Sequence, residues 1–115
     1  MFDQVFSDLH SKIPEIRMVG VWGTDGLELE KYVFAPLEVD VDFLGAEVAD
    51  IITKINGIQP ATESVKVKLV MDDGWLYVFR LTREFFLIVL TERSVLNGRV
   101  TFYADIYGPR LKEIL

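Results

Sequence analysis

The chain has 115 residues, half of them hydrophobic, with 18 acidic against 12 basic side chains, one histidine and no cysteine. That length predicts one domain, residues 1–115, with a core large enough to need no staple, and the lack of cysteine excludes disulfides, thiolate metal sites and thiol nucleophiles. A net charge of −6 and a pI near 4.7 argue against nucleic acid and anionic membrane surfaces, which are recognised through Lys and Arg.

No apolar run reaches the ~18 residues of a transmembrane helix, and Met1-Phe2-Asp3 lacks the basic start of a signal peptide. The expectation is a soluble, cytoplasmic protein. The mean hydropathy of +0.27 is high for a small chain with 26% charged residues. Either the core is generous or some apolar surface is hidden against another chain.

Phe2, Val5, Phe6, Leu9 and Ile13 recur at helical spacing, predicting a first helix from about Asp3 to Lys12, closed by Pro14. Arg17 to Gly23 reads as a strand, with Val19 and Val21 on one face and Met18, Gly20 and Trp22 on the other. Asp25-Gly26 supplies a hairpin turn, and Leu27 to Val33 follows with an alternation that leaves one face wet, as at a sheet edge. A second helix is predicted from about Val41 to Asn56, with Asp40 as N-cap and Gly57 as stop. Its apolar arc holds Val41, Leu44, Gly45, Val48, Ala49, Ile51, Ile52 and Ile55, while Asp42, Phe43, Glu47, Asp50 and Lys54 lie opposite.

Three more strands are expected over Val65 to Met71, Trp75 to Leu81 and Phe85 to Leu90, the first two joined by Asp72-Asp73-Gly74. The last two are apolar at nearly every position, so layers cover both faces of the sheet. A third helix begins near Arg99, with Val100, Tyr103, Ile106, Tyr107, Leu111 and Ile114 on one side and a break or kink at Gly108-Pro109. Short hairpin turns make the sheet mostly antiparallel, in the α+β class, with the second and third strands at its edges.

Little in the sequence supports an enzyme. His10 stands alone and reads as a surface residue; no nucleophile elbow, phosphate loop or metal-ligand spacing is present, so no catalytic, cofactor or metal residue is named. Asp40/Asp42 and Asp72/Asp73 read as a helix cap region and a turn rather than a cation site. Trp22, Trp75, Tyr77, Phe79, Phe85, Phe86, Tyr103 and Tyr107 fit core packing, with a ligand pocket as the alternative. Gly45 and Ala49 have two readings: room for a second helix, or a close fit to a crowded sheet. Phe43 among charges has the composition of a recognition spot, unless it folds back onto the preceding loop. Lys66 and Lys68 guard a strand edge against uncontrolled pairing.

The order of elements, Ile13-Pro14-Glu15-Ile16 leading into Arg17-Met18-Val19-Gly20-Val21-Trp22, the Asp25-Gly26-Leu27 hairpin and Leu96-Asn97-Gly98-Arg99-Val100 together resemble the Roadblock family of dynein light chains and the bacterial GTPase regulators of MglB type. The resemblance implies a profilin-like layout: a five-stranded sheet ordered second, first, fifth, fourth, third, with helices on both faces. It further implies a dimer in which third strands meet edge to edge and second helices pack side by side. On this chain those contacts fall on Gly45, Val48, Ala49 and Ile52 of the helix and on Val65, Lys66, Val67, Lys68 and Leu69 of the strand. The role implied is non-catalytic regulation or scaffolding of a small Ras-like GTPase, bound by Asp42, Phe43, Glu47, Asp50 and Lys54. The alternatives are a small-ligand sensor with an aromatic pocket and a purely structural assembly subunit.

Overall fold

The computed structural model describes residues 1–58 and 66–115. Its elements run α1 (Phe2–Lys12), β1 (Ile16–Gly23), β2 (Glu28–Val33), α2 (Val41–Ile58), β3 (Lys66–Met71), β4 (Gly74–Arg80), β5 (Phe85–Glu92) and α3 (Asn97–Ile114). The strands form one antiparallel sheet ordered β2-β1-β5-β4-β3, placing β2 and β3 at the edges as their alternation predicts. Gly26, at φ +88°, makes the β1–β2 turn because a side chain is disfavoured there. Across the β3–β4 turn, a β-carbon on Gly74 would run into the Thr91 carbonyl, so glycine is what allows β4 to start flush against β5.

Alternation along the central strands divides the core into two layers. Val19, Val21, Tyr77, Phe79, Leu87 and Val89 join α1 and α3 on one face, and Met18, Trp22, Leu76, Val78, Phe86 and Ile88 join α2 on the other. Burial pushes the Tyr77 phenol up, and its hydroxyl donates to Asn97 Oδ1, tying β4 to the first turn of α3.

Neither Gly57 nor Gly108-Pro109 ends its helix. α2 continues through Gly57 to Ile58; Gly57 is exposed with open space around it and no positive φ, so a modest propensity cost is its only penalty. α3 continues through Gly108-Pro109 to Ile114 as one helix. Proline forfeits one main-chain hydrogen bond there, but Tyr107, Gly108 and Leu111 are buried on both sides of it and hold the last turns on the sheet. No helix among the described residues is long and apolar enough to cross a membrane.

Candidate functional site

Helix α2 is the only helix on its face of the sheet among the described residues, and its start is fixed locally. Asp40 Oδ1 accepts the Phe43 N–H at 3.1 Å and the Asp40 carbonyl accepts the Leu44 N–H at 2.9 Å, the arrangement of an N-cap. From there the 100° step per residue sets three zones around the helix axis.

The inner zone is Val41, Gly45, Val48, Ala49 and Ile52, all buried against the chain's own sheet. A β-carbon at Gly45 would stand 2.6 Å from Trp22 Cδ1 and 2.7 Å from Cε2, so the glycine makes room for the indole beneath it. Gly45, Val48, Ala49 and Ile52, expected at a dimer contact, are covered here by the chain's own sheet. The spacing of small residues is the same for either reading; the buried Trp22 decides it. Of the expected arc, Ile51 lies instead at the margin and is 42% exposed.

The two flanks of α2 differ. On one, Asp42 reaches Lys31 of β2 at 3.5 Å, and Gly26 of the β1–β2 turn lies under Ala46. That flank therefore faces β2. The opposite flank, carrying Leu44, Ile51, Ile55 and Ile58, faces β3, and Ile55 and Val67 pack on the same core cluster. Ile51 and Ile58 stay exposed there, as does Leu69, which alternation puts on the same face as Val67 and Met71. Lys68 turns to the other face, its Nζ 5.7 Å from the Trp75 ring centroid. Lys66 pairs with Phe79 in the ladder; Val65 lies outside the described residues.

The outer zone holds Phe43, Glu47, Asp50 and Lys54, all exposed, with Asp42 beside them. Phe43 is 65% exposed, so its ring does not fold back onto the loop. Lys54 Nζ meets Asp50 Oδ2 at 3.0 Å, and that hydrogen bond, with the nearby charges of Asp50 and Glu47, raises the Lys54 pKa. Such an i,i+4 pair in water is worth little to stability. It does set a cation and an anion on the same exposed face of the helix as Phe43.

Trp22, Tyr77, Phe79, Phe86 and Tyr107 are buried, and Tyr77 and Phe79 lie parallel at 6.2 Å. A cavity between β1, β4 and the loop before α2, lined by Arg17, Val39, Met71, Asp73 and Trp75, measures about 10 Å³, room for one water. Arg17 and Asp73 pair across it at 3.3 Å, so Asp73 does more than shape a turn. His10 is half-buried, stacked on Phe34 at 3.9 Å, where the sequence suggested a free surface residue. Nothing local signals that contact, which joins the end of α1 to the loop after β2.

No family model and no curated protein matches the sequence. Solved structures do match in fold. The gliding protein MglB of Thermus thermophilus superposes with a TM-score of 0.84 at 16% identity, covering 97% of this chain and 86% of that one. A Roadblock/LC7 domain from Streptomyces avermitilis gives 0.80 at 17%, covering 97% and 95%, and MglC of Myxococcus xanthus gives 0.70 at 14%, covering 99% and 98%. With the helix and strand order α-β-β-α-β-β-β-α and the sheet order β2-β1-β5-β4-β3, the chain has a Roadblock/LC7 fold of MglB-like form.

Proposed function

We propose that this chain is a non-catalytic, cytoplasmic homodimer that binds a small Ras-like GTPase and favours one of its nucleotide states. The observation that carries the reading is Phe43, a large aromatic held out in solvent by the Asp40 cap and framed by Glu47, Asp50 and Lys54. Aromatic anchors inside a polar rim are where binding energy concentrates in interfaces. The MglB-like fold and the family resemblance of the sequence support the choice of partner.

The dimer contact is drawn on the β3 edge with Lys66, Val67, Lys68 and Leu69, and on the β3-facing flank of α2 with Ile51 and Ile58. These residues are preferred to Gly45, Val48, Ala49 and Ile52 of the same helix because the chain's own sheet already buries the latter. Pairing there places the two Phe43 faces on one side of a continuous sheet. Regulation then follows if the GTPase's two switch conformations bind this face with different affinity.

Small Ras-like GTPases from the same cell, loaded with GTP or GDP, provide the test. One nucleotide form is expected to be retained, and Phe43→Asp to weaken capture at least tenfold, with an unchanged melting temperature. Equal, negligible capture of both forms overturns the regulator. For the dimer, Ile51→Arg is expected to halve the mass seen by light scattering while far-UV circular dichroism stays the same, because surface changes cost the fold within about 0.5 kcal/mol. An undiminished mass would move the contact off this flank.

A further inference from the structure

The other edge of the sheet has its own chemistry. Phe34 N–H donates to the Arg17 carbonyl at 2.7 Å, which fixes the phase of the β1–β2 ladder. With Tyr32 opposite Val19 and Glu30 opposite Val21, those residues turn their main-chain groups toward β1. Lys31 and Val33 therefore turn theirs outward, and no described strand pairs with that side. Gly20 lies opposite Lys31, where a β-carbon would come within 2.9 Å of Lys31 Cβ and of the Glu30 carbonyl, so glycine lets β2 lie close.

The side chains beside this open edge sort by face. Tyr32 meets Phe6 of α1, which puts Tyr32 and Glu30 on the α1 side, near Asp3. Lys31, which reaches Asp42, and Val33, opposite Met18, are on the α2 side; Val33 is 51% exposed, and Leu29, at the register shift in the ladder, is 45% exposed. The edge is acidic. Lys31 is occupied by Glu28 at 2.9 Å and by Asp42, and Asp3 is occupied by the N-terminal ammonium. Among the described residues Glu30 has no cationic partner, and Asp25 accepts the Leu27 N–H in the adjacent turn. The phenol of Tyr32 is pushed up by burial and then by the charges of Asp3 and Glu30.

We infer that the free edge of β2 is a docking edge for an extended partner segment that alternates basic and apolar residues and adds to the sheet as one more strand. Its main chain would bond to Lys31 and Val33, its cations would lie beside Glu30 and Tyr32, and its apolar side chains beside Leu29 and Val33. Edge-to-edge dimerisation through β3 leaves this edge open, so the inference does not rest on the GTPase reading.

The probe is a fluorescein-labelled capped decapeptide alternating lysine and valine, compared with its glutamate–valine counterpart by anisotropy. The lysine peptide is expected to bind about tenfold or more tightly than the glutamate peptide, to weaken as salt rises, and to protect the Lys31 and Val33 amides from hydrogen exchange. Val33→Pro is expected to abolish binding without unfolding the protein, since it removes an outward N–H that β1 does not use. Should that variant fail to fold, a lysine–valine peptide N-methylated at alternate residues replaces it, with loss of binding expected to the wild-type chain. Equal binding of the two peptides, or protection appearing on β3 instead, overturns the proposal. So does self-association of the chain that Glu30→Lys and Lys68→Glu each abolish, because the occupant would then be the β3 edge of a second copy.

Discussion

Ile52→Asp is expected to leave the chain unfolded at 25 °C, seen as loss of the near-UV signal and of a cooperative urea transition. Ile52 is 1% exposed, within the layer formed by Met18, Trp22, Val78 and Ile88. Removing a buried aliphatic side chain costs about 2–5 kcal/mol, and an unpaired buried carboxylate adds several more. Domains of this size hold only about 5–15 kcal/mol in all. A variant that melts cooperatively within a few degrees of the wild type would place Ile52 at a surface.

Gly45→Val is expected to destabilise the fold by about 3 kcal/mol, measured as a shift in urea midpoint at unchanged slope. A branched side chain at that point enters the ring of Trp22, which is fully buried and has no space to retreat into. The helix itself gains slightly from losing a glycine, so propensity alone predicts the opposite sign. The measurement also separates the two roles for a small residue on α2. A glycine kept for a neighbouring helix would cost association and leave the isolated chain's midpoint where it was.

The contrast between these positions shows what was legible in the sequence. Strand order at the edges was readable from side-chain alternation, because β2 has a wet face while β4 and β5 are apolar on both. The helix α2 was readable from its period and its aspartate cap. A helical period gives the angle of Gly45 around the axis and says nothing about what stands across from it. Trp22 lies more than twenty residues earlier, and their contact exists only once the sheet is built. His10 on Phe34 and Arg17 with Asp73 escaped for the same reason, being contacts between distant elements. Gly57 and the Gly108-Pro109 pair misled in the other direction. Local breaker signals are small energies, and at Gly108-Pro109 buried neighbours outweigh them.

The candidate site was legible in part. Phe43, Glu47, Asp50 and Lys54 stand outward as the period requires, since charged residues on one side of an amphipathic helix leave little choice. The apolar flank was hidden by the width of the arc. Eight apolar or small positions span more of the helix than one sheet face can cover, so the marginal Ile51 falls outside. The surplus hydropathy of the chain is thus partly core and partly this flank.

The division of the core by the sheet has a consequence for how the molecule breathes. The layer under α1 and α3 joins two helices through many buried side chains, whereas the opposite layer is closed by α2. Opening that second layer requires one helix to lift and leaves the first layer intact, which makes it the cheaper of the two fluctuations. A ligand gripping α2 on both its outer face and its flank holds that one helix down. Binding there would act as a clasp, and its strength would register as slower hydrogen exchange of the α2 amides and of the strands beneath them.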